Sequence, residues 1–121
     1  MRSLAVIITT PPNSNLTATA LSYIELALEQ GVNILGVFFY QTGVLNANEY
    51  IALASDEFQT TQQWQLLHQK YQLPLHLCYT AAEKNGLSDE KATNNIAAHF
   101  TVSGLGELVE LTSAADRVVQ L

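Results

Sequence analysis

Pro74-Leu75-His76-Leu77-Cys78-Tyr79-Thr80 is the stretch whose reading decides the fold. Proline has no backbone N–H to give to a sheet, so it suits the first residue of a strand rather than its middle. Leu75 and Leu77 then point to one face of the strand, His76 and Cys78 to the other. Beyond them Thr80 offers a helix cap, Ala81, Ala82, Glu83 and Lys84 favour helix, and Gly86 is placed to end it. The reading is a short buried strand that runs into a helix, with Cys78 at the strand's carboxyl end beside a helix N-terminus. In open α/β sheets that edge is where ligands and chemistry gather.

Working upstream, Leu4-Ala5-Val6-Ile7-Ile8 is a continuous apolar run rich in β-branched residues, the pattern of a fully buried parallel strand. A loop, residues 9–15, follows. A helix then starts at about Leu16, with Ala20, Ile24, Ala27 and Leu28 at helical spacing and Gly31 at its end. Residues 33–40 give a second strand, so the first forty residues form a βαβ unit, right-handed by strong precedent. Residues 41–57 mix loop formers with Val44, Leu45, Tyr50, Ile51 and Leu53. A connection this long without clear structure is usually functional, and its apolar content predicts packing against its own domain or a neighbour. A helix over residues 58–72 presents Trp64, Leu67 and Tyr71 on one face. Downstream of the cysteine, Ser88-Asp89-Glu90 reads as a helix start and Phe100-Thr101-Val102 as a short strand. Gly104-Leu105-Gly106 opens a helix to about Ser113, and residues 116–121 close as a last strand. Alternating strands and helices argue an α/β fold with a parallel sheet, in one domain over residues 1–121.

The chain has 121 residues, 48% of them hydrophobic, enough for a real core. Charged residues are only 13%, which suggests that part of the surface is covered by partner subunits. The net charge of -6, from 5 Lys and Arg against 11 Asp and Glu, argues against direct nucleic-acid binding, which needs clustered cations. No apolar run is long enough to span a bilayer and no signal peptide is read, so no membrane association is expected. One cysteine leaves no internal disulfide and no Cys-rich zinc site, and the expected location is the reducing cytoplasm.

Cys78 is the leading candidate for chemistry, although a free cysteine more often packs as a small hydrophobe than acts as a nucleophile. A helix N-terminus favours the thiolate, the reactive form, but a dipole worth about 0.3–1 kcal/mol is a weak activator by itself. Strong activation would need backbone N–H donors or a partner charge. With no second cysteine, any redox or transfer cycle must use a thiol on another protein; a persulfide taken up and handed on fits that constraint. His76 could act as a base or steady a thiolate; its plainer reading is a strand histidine bonded to a backbone carbonyl. His68 and His99 show no metal-ligand spacing. Gly104-Leu105-Gly106 lacks the rest of a dinucleotide fingerprint and is read as a tight turn in which both glycines let the helix start close to the sheet. The loop at residues 9–15 carries Pro11-Pro12 where a flavin phosphate loop would want glycine. No cofactor and no metal are expected.

Several segments together resemble the DsrE/DsrF-like family. They are Val37-Phe38-Phe39-Tyr40, Gly43-Val44 with Asn46-Ala47-Asn48, Ala54-Ser55-Asp56-Glu57-Phe58, Leu77-Cys78, Ser103-Gly104-Leu105-Gly106 and Asp116-Arg117-Val118-Val119-Gln120. The resemblance spans nearly the whole chain. It implies a central parallel five-stranded sheet with helices on both faces, a three-layer, flavodoxin-like arrangement. It places the family's active cysteine on Cys78. It implies a heterohexamer with TusB- and TusC-like sister subunits, and a relay in which Cys78 takes persulfide sulfur from a TusA-type carrier and passes it to a TusE-type acceptor. The end product would be the 2-thiouridine of wobble-position tRNA. The alternatives are a DsrE-type subunit in sulfur oxidation, and a binding or scaffold subunit with an inert Cys78. Independently of the resemblance, the low charge content and the apolar segment from Val44 to Leu53 predict that the chain is not a stable monomer, with that loop partly buried between subunits and a homo-oligomer filling in when sister subunits are missing; the position of Cys78 at the carboxyl edge of the sheet predicts a sulfur that is at least partly accessible.

Overall fold

Five apolar segments become strands, all parallel: β1 (Ser3–Ile8), β2 (Asn33–Phe39), β3 (Leu75–Cys78), β4 (Phe100–Ser103) and β5 (Arg117–Gln120), in the order β4-β3-β2-β1-β5. These come from a computed structural model that describes residues 2–50, 59–88 and 94–121. Four helices connect them: α1 (Asn15–Glu29), α2 (Thr60–Tyr71), α3 (Tyr79–Lys84) and α4 (Leu105–Ala114). The first three crossovers each step one strand in the same direction, and the fourth returns across the sheet to its other edge. Right-handed crossovers therefore put α1, α2 and α3 on one face and, among the described residues, α4 alone on the other. Leu111 of α4 fits where Gly36 has no side chain: a Cβ there would lie 3.1 Å from Leu111 Cδ2. One helix covers that face incompletely, and Leu105, Val109 and Val118 stay exposed.

The crowded face carries the aromatic core. Trp64, with no exposed surface, meets the Phe39 ring edge-on at 5.0 Å, and Phe100 packs on Phe39 at 5.5 Å. Tyr71, expected on the same helix face as Trp64 and Leu67, is half-buried against this core. The helix ends follow local chemistry. Ser14 Oγ accepts from the Leu16 N–H, and α1 closes before Gly31 at φ +81°. α2 closes on Gln72 in the left-handed region.

Three expectations need correction. The helix after β3 is capped by Cys78 rather than Thr80, because the strand turns directly into the helix with no intervening loop. Residues 41–57 are not an unstructured connection throughout. Gln41–Ala47 is a 3-10 helix whose Gly43, Val44, Asn46 and Ala47 are buried in the subunit itself, so Val44 is not available to a neighbour. Gly104 and Gly106 have negative φ and open space where a Cβ would stand; neither is a close approach. The close approach is Gly43, whose Cβ would lie 2.0 Å from the Ile8 carbonyl oxygen. The apolar positions Ile51 and Leu53, the segment 54–58 and the helix start at Ser88-Asp89-Glu90, apart from Ser88 itself, lie outside the described residues.

Candidate functional site

The carboxyl ends of the central strands are roofed by the 3-10 helix. Tyr40 N–H donates to the Ile8 carbonyl at 2.9 Å, and Gly43 N–H donates to the Tyr40 carbonyl at 2.9 Å, so the chain folds back over the end of β1. Only glycine fits where it crosses. Asn46 pins this roof. Its buried amide donates to the carbonyls of Thr10 at 3.0 Å and Gly43 at 2.8 Å, and its Oδ1 accepts from Trp64 Nε1 at 3.1 Å. Its backbone carbonyl accepts from Thr61 Oγ1 at 2.7 Å. One asparagine thus joins the loop after β1, the 3-10 helix and α2, with both side-chain polar atoms satisfied. Sequence reasoning took Asn46 for a loop former. Its setting among Val44, Leu45 and Ala47 was the one available signal, since a polar side chain carried into a core must find hydrogen-bond partners there.

Cys78 closes β3 under this roof, opposite Ser103 of β4 in the strand register. The 3-10 helix packs against both β3 and α3. Cys78 as a residue is 3% exposed, within a cluster that includes Val44, Ala47, Ala81 and Ala82. The expected partial access is therefore absent in this conformation, because the 3-10 helix and α3 close over the strand end. Nor does the side chain take a capping hydrogen bond from α3, so the backbone donors that strong activation would need are not engaged. Tyr79 and Thr80, immediately after it, are exposed.

His76 sits apart from that role. Its Nδ1 lies 3.0 Å from Ser103 Oγ and its Nε2 lies 3.5 Å from Glu107 Oε1; no hydrogen bond joins it to the Cys78 sulfur. It bonds to a serine hydroxyl instead of the expected backbone carbonyl. Burial lowers its pKa below the ordinary 6.5, and the Glu107 charge opposes that shift without cancelling it. The ion-pair geometry is therefore occupied by a mostly neutral ring at neutral pH. A carboxylate can only accept, so the tautomer with its proton on Nε2 suits Glu107, and in that tautomer Nδ1 accepts from the Ser103 hydroxyl; the other tautomer reverses the bond to Ser103. His68 and His99 stack at 4.7 Å, away from the cysteine in the sequence and with no link to it among the described residues. Among the described residues no three His, Cys, Asp or Glu side chains gather as a metal site, and no helix is long and apolar enough to cross a membrane.

A single parallel sheet ordered 4-3-2-1-5, with a lone thiol at its carboxyl edge, defines a small open-sheet α/β protein with one candidate nucleophile at the edge where such sheets bind and react. The chain belongs to the DsrE/DsrF-like family, whose profile matches residues 2–121. It is 41% identical over 110 residues to Sulfurtransferase TusD of Klebsiella pneumoniae (strain 342), covering 85% of this chain and 86% of that protein. It is 36% identical over 128 aligned positions to Sulfurtransferase TusD of Pectobacterium carotovorum, covering 99% of both. It is 44% identical over 99 residues to the Sulfurtransferase TusD homolog of Pasteurella multocida, covering 78% of this chain. Among solved structures the ychN protein of E. coli superposes with a TM-score of 0.78 over the whole of both chains at 18% identity, a likeness of fold.

Proposed function

We propose that this sulfurtransferase carries sulfur as a persulfide on Cys78. The observation that supports the reading is the placement of the chain's sole thiol at the carboxyl end of β3, next to the turn into α3. In the receiving step the Cys78 thiolate attacks the outer sulfur of a donor persulfide. A new S–S bond forms, the donor's S–S bond breaks, and the donor leaves as a thiolate, with no net oxidation. In the delivering step an acceptor thiolate attacks the terminal sulfur and Cys78 leaves. The finer reading is a TusA-type donor, a TusE-type acceptor, TusB- and TusC-like sister subunits in a heterohexamer, and wobble 2-thiouridine of tRNA as the end of the route, in the cytoplasm. The acidic balance of the chain accords with a tRNA step left to a later enzyme. The partly covered α4 face, with Leu105, Val109 and Val118 exposed, accords with sister subunits. Use of the same chemistry in sulfur oxidation is the alternative route.

Burial of the sulfur sets a condition: transfer requires the 3-10 helix and α3 to part. The same burial favours the second reading, an inert cysteine in a scaffold subunit. Intact-mass measurement separates the two. The wild type and Cys78→Ser are incubated with a persulfidated TusA-type donor. The wild type is expected to gain one sulfur atom and lose it to a TusE-type acceptor, while Cys78→Ser folds and gains none. A wild type that gains no sulfur, or a serine variant that still relays it, refutes the proposal.

A further inference from the structure

The opposite, amino-terminal edge of the sheet holds a feature that sulfur transfer does not use. An open apolar pocket of about 340 Å³ lies between the second half of α1 and the starts of β1 and β5. Tyr23, Leu26, Ala27 and Val32 supply its apolar wall, and Arg2 and Arg117 stand in its lining. The chain has 5 Lys and Arg in all, and both of its arginines are here. The neighbouring carboxylate pairs with neither: Asp116 Oδ2 accepts from Ser3 N–H at 2.7 Å and from Ser3 Oγ at 3.2 Å, and its charge offsets only one of the two guanidinium charges. Among the described residues the only ion-pair geometry is His76 with Glu107, so neither guanidinium has an acidic partner. In a chain of net charge -6, two unpaired arginines beside an apolar pocket form a local site for anions with apolar character.

The shape selects the kind of occupant. A small-molecule site usually encloses most of its ligand. This pocket is open, and Leu26 at 57% and Tyr23 at 46% exposure stand proud of it. Exposed tyrosine and arginine around an apolar depression are the residue types that anchor protein interfaces. We infer that this pocket is a docking site for a polypeptide segment of another protein that presents an apolar side chain between carboxylates. The apolar side chain enters between Leu26, Ala27 and Val32, and the flanking carboxylates meet Arg2 and Arg117. The site lies across the sheet from Cys78, so a bound partner leaves the sulfur edge free. The inference stands on the pocket alone and does not depend on sulfur reaching Cys78.

The test uses the whole chain and a labelled peptide, Glu-Asp-Leu-Phe-Asp-Glu. Its controls are Lys-Lys-Leu-Phe-Lys-Lys and Glu-Asp-Ser-Ser-Asp-Glu. Fluorescence anisotropy gives affinity and backbone amide shifts give location. The acidic apolar peptide is expected to bind, to shift Leu4, Ala27, Val32 and Arg117, and to weaken as salt is raised. Arg117→Ala is expected to reduce affinity about tenfold or more, and Arg2→Glu with Arg117→Glu to abolish binding, with unchanged circular dichroism. No binding, equal binding of either control peptide, shifts confined to another surface, or indifference to the arginine variants overturns the inference. So does binding of decanoate in place of the peptide, which would make the site one for small amphipathic acids. A dimer dispersed by Leu26→Asp would assign the pocket to a second copy of the chain and equally overturn it.

Discussion

Replacing Gly43 by alanine tests how the roof over the cysteine is held. The added Cβ would stand 2.0 Å from the Ile8 carbonyl oxygen, 2.8 Å from its carbon and 3.2 Å from Thr9 Cα. Carbon and oxygen need about 3 Å, so the backbone must move by roughly 1 Å. All three atoms are main chain, and the oxygen is already the acceptor for Tyr40 N–H, so no side chain can yield. Overpacking typically costs about 1–3 kcal/mol, and loosening the Tyr40 bond adds about 1 kcal/mol, for a total of about 2–4 kcal/mol. At about 2.1 cal/mol/K per residue, the unfolding entropy of a 121-residue chain translates 1 kcal/mol into about 4 °C. Gly43→Ala is therefore expected to lower Tm by about 8–16 °C in calorimetry. Because the displaced segment covers Cys78, the variant should also react faster with a small thiol reagent under native conditions. A Tm within about 4 °C of wild type, with an unchanged thiol rate, would refute the packing account.

Gly106→Ala, inside α4 with open space around it, should raise stability by about 0.5–1 kcal/mol in urea titration; a loss would restore the idea that this glycine is required. Asn46→Leu strands the Trp64 N–H and the carbonyls of Thr10 and Gly43, and at about 1–3 kcal/mol for each buried orphan should cost at least about 3 kcal/mol by the same titration. His76 should titrate by NMR below 6.5, and lower still in Glu107→Gln, which removes the charge that opposes burial. Because its folded pKa is depressed, the stability tied to the neutral ring is complete above about pH 6.5 and is lost as pH falls through the folded value; His76→Asn should flatten that part of the stability curve.

Strand positions were legible because burial on both faces writes a continuous apolar run, as in residues 4–8 and 34–39, and turn residues bracket each run. The parallel sheet followed from the alternation of strands with helical spacing. The edge that holds Cys78 was legible for the same reason. Its burial was not, because that depends on a 3-10 helix in which Gly43 and Asn46 interrupt the apolar residues and read locally as loop formers. The glycines mark the limit of local reading. Gly104-Leu105-Gly106 looks like a motif and meets nothing, whereas Gly43 looks like a loop residue and touches a carbonyl from β1, 35 residues earlier. Close approach is a property of two segments, and one segment's sequence carries no trace of it. The Ser103 and Glu107 partners of His76 likewise come from β4 and α4.

The strand order also governs how the molecule is made. β1 is synthesised first, yet one of its two neighbours is β5, and the link from Ser3 to Asp116 spans 113 residues. While the chain emerges from the ribosome, β2 can pair with one side of β1 at once, but its other side keeps unpaired N–H and carbonyl groups until residues 117–120 arrive. The helix that covers the second face, α4, is also among the last elements made. A nascent chain therefore carries both an open sheet edge and a bare apolar face through most of its synthesis, the two features that invite wrong pairing. Both are closed by the same crossover from β4 to β5, so until residues 117–120 are made the nascent chain stays open to wrong pairing.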